Sequence, residues 1–596
     1  MATYKAPLRE IGFVLEDVLN VGRLSELPPY AEATPDVLVG LADEAAKLIE
    51  DQVAPLNHPG DAEGCRLDNH EVTVPKGMAE AYKLYWESGW VGLSNPVEFG
   101  GQGLPYALHS AVGEYFSSAN MAFAMYFGLT QGAMAAIHVH GSDEQKQAYL
   151  PKMVEGTWTG TMNLTEPHCG TDLGLLRTKA VPQGDGSYRI SGQKIFISAG
   201  EHDMSENIIH LVLARIEGAP DGVKGISLFI VPKFDPESGE RNGVSCGSIE
   251  EKMGIHGNST CVMNYDEAKG WMVGEENKGL AAMFIMMNAA RLGVGIQGLS
   301  QAEVSYQNAV TYALDRRQGR ALTGPAEPNE KADPIFVHPD VRRMLMDAKA
   351  FNEGMRAFAL WTALQQDLSH ALQDEDERQL ADDLVGLMTP VIKGYGTDKG
   401  YDVATNMQQV YGGHGYIAEW CMEQFVRDAR IAQIYEGTNG VQAMDLCGRK
   451  LAQHGGRAVQ AFFKLVDDTV AEAKGEEELA ELATALEKAV GEQKAATMWF
   501  MQNAMANPND LGAGAHHYMH IMGIACLMLM WVKMARVAKA ALAEGSDDKA
   551  FYEAKIATAR YFADRFVPDA GALRRKIESG SESMMALGEE AFATAS

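Results

Sequence analysis

The 596-residue sequence predicts a mainly α-helical fold with a compact antiparallel β-barrel domain at its centre. Three observations carry that expectation. Helical apolar spacing fills both ends of the chain. Short β-rich runs crowd the interval from Trp158 to about Gly274. No long helical pattern separates those runs, which excludes a βαβ nucleotide fold. A chain of this length exceeds one compact core and suggests about three to five domains. The changes of texture divide it into an N-terminal helical domain (1–157), a β-barrel domain (158–275), a helical-bundle domain (276–455) and a C-terminal helical extension (456–596).

The first domain begins with amphipathic stretches at Glu10 to Val21 and Thr34 to Val53. Loops at Ser94-Asn95-Pro96 and Gly100-Gly101-Gln102-Gly103 interrupt it. A helical pattern follows from about Ala107 to His138, and Ser142 caps another that ends near Glu155. The β runs are Thr159 to Leu164, Tyr188 to Ile197, Ile208 to Ile216, Gly225 to Val231 and Thr260 to Asn264, with Asp185-Gly186 as a hairpin signal. Helical periodicity returns from Gly279 to Arg316. After a polar loop (Thr323 to His338), Pro339 fits the first turn of a helix reaching about Leu368. Further helices are expected at Leu380 to Val410 and Gly440 to His454. In the extension, Leu479, Leu482, Leu486 and Val490 form an apolar stripe on an acidic helix.

Composition excludes several classes. Lys plus Arg is 51 against 80 Asp plus Glu, a formal charge of −29, which is no footprint for nucleic acid or an anionic membrane. Seven scattered cysteines without a Cys-x-x-Cys pair fit reduced thiols in a cytoplasmic protein. No signal peptide is expected, because Glu16 and Asp17 cut the apolar stretch Ile11 to Leu15. No transmembrane segment is expected either: the longest apolar run, Ile521 to Val532, is too short and fits a buried helix. The C-terminal Ala593-Thr594-Ala595-Ser596 carries no peroxisomal or lipidation address.

Gly293-Val-Gly295-Ile-Gln-Gly298 matches Gly-x-Gly-x-x-Gly, but its flanks are helical on both sides. Close helix packing accounts for it better than dinucleotide binding. His516, His517 and His520 contain a pair at i, i+4, yet no zincin glutamate accompanies them; a structural or surface role is favoured and no metal is expected. Neither a Gly-x-Ser-x-Gly elbow nor a Walker sequence is present, which leaves hydrolase and kinase chemistry without support.

Two stretches carry candidate chemistry. Met162-Asn163-Leu164-Thr165-Glu166-Pro167-His168-Cys169-Gly170-Thr171-Asp172 leaves a strand and enters a donor-rich turn. With the later strand Gly192-Gln193-Lys194-Ile195-Phe196-Ile197-Ser198 it places hydroxyls and an aromatic ring on one sheet, suited to a flat heteroaromatic cofactor. In Ile434-Tyr435-Glu436-Gly437-Thr438-Asn439-Gly440 a carboxylate stands on a loop at a helix entrance, before two good N-caps. The helix is signalled by Val441, Met444, Cys447 or Gly448, and Leu451. Held over an apolar surface, such a carboxylate gains proton affinity and becomes a usable base. On these seven residues alone a solvated turn glutamate is the simpler choice; the rest of the chain reverses it.

Taken in order, Leu164-Thr165-Glu166-Pro167, Gly192-Gln193-Lys194, Asn288 to Arg291, Asp315-Arg316-Arg317, Gln409 to Gly415, Arg427-Asp428-Ala429 and Tyr435-Glu436-Gly437-Thr438 resemble the acyl-CoA dehydrogenase family of flavoproteins over residues 80 to 455. The resemblance implies a helical domain, a β-barrel domain and a four-helix domain. It implies FAD as cofactor and α,β-dehydrogenation of an acyl-CoA thioester to a trans-2-enoyl-CoA. Glu436 would be the catalytic base. Met162, Leu164, Thr165, Thr171, Phe196, Ser198, Arg316, Gln409, Gly412, Gly413 and Thr438 would bind the cofactor. Thr171, Asn288, Arg291 and Gly437 would bind substrate. Phe196 and Ser198 stand where the family often has Trp and Thr, Asn288 replaces a common Asp, Gly440 stands where a Gln is frequent, and the run after Arg316 departs from Thr-Phe-Gly. Met286 and Met287 are candidate acyl-pocket residues, with core packing favoured. The length, the opening Tyr4-Lys5-Ala6-Pro7-Leu8-Arg9 and the helical extension resemble a bacterial subgroup that includes 3-methylmercaptopropionyl-CoA dehydrogenase and some fatty acyl-CoA dehydrogenases. Electron transfer flavoprotein is the expected electron acceptor, and a homodimer the expected assembly, with Arg316 serving the neighbour's cofactor. The competing expectations are an acyl-CoA oxidase and a non-catalytic flavin or acyl-CoA binding scaffold.

Overall fold

A computed structural model describes residues 2–593. The chain forms two compact units: one contains Tyr4–Ala6 and Leu41–Gly293, the other Pro7–Gly40 and the chain from Val294 onward. The division falls inside the long Gly279–Asp315 helix.

The first unit joins helices to a sheet. Asn120 ends the Tyr106–Ala119 helix and caps the next, Met121–His140, by accepting from the Phe123 N–H. The single helical pattern expected from Ala107 to His138 is therefore two helices. Ser142 and Gln145 form a capping box at the start of the Asp143–Glu155 helix, as its Ser-x-x-Gln spacing predicts. A small hairpin, β1 (Arg66–Asp68) and β2 (Glu71–Thr73), was not foreseen.

The sheet comprises β3 (Trp158–Asn163), β4 (Lys179–Pro182), β5 (Tyr188–Ser198), β6 (Asn207–Ile216), β7 (Ser227–Pro232), β8 (Val244–Ile249) and β9 (Thr260–Val273). The path β6-β4-β5-β9-β7 returns to β6, so five strands close a small barrel; β3 adds to β6 and β8 to β9. The expectation of an antiparallel barrel needs correction. β6 runs parallel to both β3 and β4, while the other pairs are antiparallel. Strand direction depends on long-range pairing, which periodicity does not report. β4 was missed because it is four residues ending in Pro182, and β8 because Ser and Gly dilute its pattern. β9 runs nine residues beyond the expected Asn264, through the polar Asp266 and Glu267, with Glu267 in the left-handed region at φ 48°. Ile190, Val212, Phe229, Val231 and Met263 fill the barrel interior.

The second unit is helical. The Pro339–Ala371 and Glu375–Val410 helices pair along much of their length, and the extension packs on them through the Pro508–Ala543 helix. That helix holds the Ile521 to Val532 run. By length and composition alone it and Gly279–Asp315 are long and apolar enough to cross a membrane. In Pro508–Ala543, however, 83% of the apolar window is buried in protein, as in a core helix; in Gly279–Asp315 the share is 50%. The extension is also bound to the N-terminal segment. Lys555, fully buried, pairs with Glu10 and, at 2.8 Å, with Glu353. Phe13 meets Phe551 edge to face. The expected Glu10 to Val21 helix is broken into Leu8–Gly12, a wide π-helical turn and a 3-10 turn. The expected stripe of Leu479, Leu482, Leu486 and Val490 is buried. The C-terminal address motif considered above extends over residues 594–596, outside the described residues.

The glycines of the Gly-x-Gly-x-x-Gly match do pack helices. A methyl on Gly295 would lie 2.3 Å from the Ile392 side chain, and one on Gly298 would lie 2.8 Å from Gly396 O and Thr397 Cα; Gly293 faces open space. Gly298→Ala is expected to lower stability by about 1–3 kcal/mol through overpacking. Gly293→Ala should be neutral or raise it by up to about 1 kcal/mol, as a better helix former. The thermal unfolding midpoints of the two variants check this contrast.

Candidate active site

The expected site residues divide between the two units. In the first, the turn after β3 is sewn to β5. The Lys194 ammonium, fully buried, donates to Leu164 O and to Glu166 Oε1, each at 2.9 Å. Glu166 also accepts from Thr178 Oγ1 at 2.6 Å and from the N–H groups of Arg177 and Thr178. Burial by itself raises the Glu166 carboxyl; Lys194 and these donors outweigh it and hold the group below the usual carboxylate value. Ile195 N–H donates to Thr165 O at 2.9 Å. One residue on, β5 slips register against β9, and Phe196 takes the left-handed φ of 58° with its ring 60% exposed. The bulge thus leaves a flat aromatic ring facing solvent. Gly170 returns the chain onto the Thr165 methyl, next to the exposed Thr171. Thr165, Phe196, Thr171 and the half-buried Met162, Leu164 and Ser198 thus belong to one stitched corner of the barrel. Asn288 and Arg291 lie three residues apart on one helix; Asn288 is exposed and Arg291 buried. Met286 is buried against Gly132, the core role favoured for it.

In the second unit two groups form. An aromatic cluster joins the end of the Gly279–Asp315 helix to the Gly412 turn. Tyr312 stacks on Tyr411 at 4.0 Å and hydrogen-bonds His414 Nδ1 at 2.9 Å, and His414 stacks on Trp420 at 4.5 Å. This brings the exposed Arg316, one turn after Tyr312, towards the exposed Gln409, Gly412 and Gly413. Both glycines have open space above them, so their backbone is accessible. The run after Arg316, where the sequence departs from the family pattern, has its own task. Arg320 pairs with the buried Asp333 at 3.1 Å, and Asp333 accepts from the N–H groups of Ala321, Ala326 and Glu327, which shapes the 317–333 loop. Those N–H groups hold the Asp333 carboxyl far below its ordinary value.

The other group is the Glu436 loop. Glu436 (φ 57°) and Gly437 (φ 80°) are successive left-handed residues. For Glu436 that conformation costs roughly 1–2 kcal/mol. The surroundings impose it. Gln442 Nε2 donates to Glu436 O at 2.9 Å, and the fully buried Lys393 ammonium donates to Gly437 O at 2.8 Å and Asn439 Oδ1 at 2.7 Å. Thr438, exposed, is the N-cap of the Asn439–Asp445 helix, as expected. The buried face of that helix is Asn439, Gln442 and Ala443, whereas Met444 is exposed. Tyr435 donates to Gln297; burial and then the Glu436 charge raise its phenol.

Lys393, Gln442 and the aromatic cluster were not singled out in the sequence, and Asn439, expected as an N-cap, is instead the first helical residue. Lys393 had a signal: it is the lone charge in the run Met388 to Thr397, and a buried cation demands partners. The carbonyls it serves come from a distant segment and left no trace.

This layout has known counterparts. Family models match in four consecutive blocks: acyl-CoA dehydrogenase N-terminal domain (39–157), middle domain (161–268), C-terminal domain (277–451) and an acetyl-CoA dehydrogenase C-terminal-like segment (462–588). The chain is 42% identical over 588 residues to the 3-methylmercaptopropionyl-CoA dehydrogenase of Ruegeria pomeroyi, covering 98% of this chain and 99% of that protein. It is 36% identical over 615 residues to the broad-specificity linear acyl-CoA dehydrogenase FadE5 of Mycobacterium tuberculosis, covering 99% and 100%. The fold matches that of Caenorhabditis elegans ACDH-11, solved with C11-CoA, at TM-score 0.79 and 20% identity over 98% of this chain and 95% of that one. The chain belongs to the acyl-CoA dehydrogenase family. It is an FAD-dependent oxidoreductase that acts on the CH–CH group of acyl-CoA thioesters.

The barrel corner yields a direct check. Lys194→Ala takes from the buried Glu166 carboxylate the lysine that balances its charge, which should cost about 3–5 kcal/mol. Purified protein should carry less flavin per chain, read from its visible absorbance. Breaking the exposed Lys464–Asp468 pair by Lys464→Ala should change stability by less than about 1 kcal/mol and leave flavin content alone.

Proposed function

We propose that Glu436 is the base that takes the α proton of the acyl thioester. The observation that carries this reading is the left-handed Glu436-Gly437 pair, held by Lys393 and Gln442 on the rim of a helix entrance. A carboxylate whose backbone is fixed at such cost is pre-organised, so little reorganisation remains for proton transfer. Its backbone N–H would polarise the thioester carbonyl and acidify the α carbon. FAD, when bound, supplies the hydride acceptor for the β carbon.

The residues present suit that cofactor. Phe196 offers an exposed ring at a bulge, Thr165 and Ser198 offer hydroxyls beside it, and Met162, Leu164 and Thr171 complete the corner. Arg316, Gln409, Gly412, Gly413 and Thr438 would hold the phosphate and adenine portions: a cation, accessible backbone and a hydroxyl are the groups a dinucleotide requires. Thr171, Asn288, Arg291 and Gly437 would bind the acyl-CoA. The full-length likeness at 42% identity favours 3-methylmercaptopropionyl-CoA as the substrate ahead of linear fatty acyl-CoAs. The functional division would follow the segments 1–157, 158–275, 276–455 and 456–596. We further infer electron transfer flavoprotein as the acceptor and a cytoplasmic homodimer. Seven free thiols support the reducing compartment, and the exposure of Arg316 supports a role toward a second subunit.

Glu436→Gln should lower kcat by about 10²–10⁴-fold, with FAD content and acyl-CoA binding retained; normal turnover would refute the assignment. Anaerobic titration of the yellow protein with an acyl-CoA panel should bleach it most readily with 3-methylmercaptopropionyl-CoA. A stronger response to long linear chains would reverse the substrate order, and peroxide formation without an added acceptor would make the protein an oxidase.

A further inference from the structure

The C-terminal extension reaches the Glu436 loop through a chain of buried and half-buried hydrogen bonds. Asn439, which accepts from Lys393, has the two N–H groups of Nδ2 within hydrogen-bond distance of Asp398 Oδ1 at 2.7 Å, Thr397 Oγ1 at 2.9 Å and Gly394 O at 3.1 Å. Asp398 Oδ1 also accepts from Gln433 Nε2 at 2.8 Å. Its second oxygen, Oδ2, is held by His520 Nε2 at 2.9 Å. Asp398 is on the Glu375–Val410 helix, one turn beyond Lys393 and Gly394, and His520 is on the Pro508–Ala543 helix of the extension.

The packing at this junction is tight. A methyl on Gly394 would lie 2.2 Å from Met519 Sδ, and one on Gly523 would lie 2.3 Å from the Tyr395 ring. Tyr395 in turn meets the His520 ring edge to face at 5.3 Å. Small residues at both contacts let the two helices approach until a histidine of one reaches a carboxylate of the other. His516, one turn earlier, has its ring 4.4 Å from that of His520 but is exposed. Asp398, His516 and His520 present ligand atoms within 4.8 Å of one another. Both oxygens of Asp398 are already engaged by N–H donors, so the grouping is organised as a hydrogen-bond relay.

We propose that His520 is a positioning residue: by fixing Asp398 it fixes Asn439 and Lys393, and so the Gly437 carbonyl and the left-handed backbone from which Glu436 projects. The extension is then part of the catalytic apparatus. Loss of the His520 N–H leaves Asp398 one donor short at a half-buried site, and the slack passes to Asn439 and the loop. A loosened loop lowers the fraction of bound complexes in which the base is aimed, which lowers kcat more than it raises KM. This inference rests on Glu436 being the base.

The test compares full-length, FAD-loaded His520→Leu, His520→Gln and His516→Leu with wild type and Glu436→Gln. The measurements are kcat, KM, the anaerobic flavin-bleaching rate, FAD content and thermal midpoint. His520→Leu is expected to lower kcat and the bleaching rate by about tenfold, the effect of one lost hydrogen bond to a charged group, with KM and FAD content near wild type. His520→Gln, which keeps an N–H donor of similar reach, should recover most of the rate, and His516→Leu should stay within about twofold, because it is outside the relay. The proposal is overturned by unchanged kcat in His520→Leu, by a loss of kcat that only tracks lost FAD or a collapsed midpoint, or by no recovery in His520→Gln. Turnover by Glu436→Gln would sink the base assignment itself. Its loss, combined with an unaffected His520→Leu, would remove only the relay.

Discussion

A single buried ammonium organises the Glu436 loop. Lys393 lies on a helix with its side chain fully buried, and its charge must be met by oxygen. Gly437 O and Asn439 Oδ1 meet it, and in doing so they pull the loop into two successive left-handed residues. The desolvation cost of the lysine and the backbone cost of Glu436 are thereby coupled: each is tolerable because the other is present. Hydrogen bonds to a charged group in a low-dielectric interior are the strongest the protein has, and they suit a segment whose own preference is to relax.

The barrel corner repeats this solution in the other unit. Lys194, equally buried, gathers Leu164 O and Glu166 and so fastens the turn after β3 to β5. The strained neighbour is here Phe196, and the exposed group is a ring. In both places a buried lysine ties one segment to another close to a left-handed residue that is not glycine. Pro and Gly are not the only means of bending a chain; a buried cation that draws oxygens from another segment accompanies the same conformation at Glu436 and Phe196.

The C-terminal extension, placed beside the rest of the helical unit, is not an appendage. Lys555 ties it to Glu10 and Glu353, the Pro508–Ala543 helix is buried in the unit, and His520 touches the network behind the loop. The central run of that helix, Ile521 to Val532, is apolar all round and buried, which gives it the composition of a membrane span.

Local chemistry was enough for much of this protein. Periodicity placed the Gly279–Asp315 and Pro339–Ala371 helices, Ser142 and Thr438 marked the starts of the Asp143–Glu155 and Asn439–Asp445 helices, and the helical flanks of Gly293 to Gly298 ruled out a phosphate turn. These features depend on residues within a few positions of one another, so the order of side chains determines them. The glutamate at a helix entrance was legible for the same reason. The parallel pairing of β6, the length of β9, the left-handed strain at Glu436 and Phe196, and the partners of Lys393, Lys194 and His520 were not. Each joins segments separated by roughly 30 residues or more, or results from such a junction. A hydrogen bond across that separation exists only once packing has removed water from both ends, so only the tertiary structure decided it.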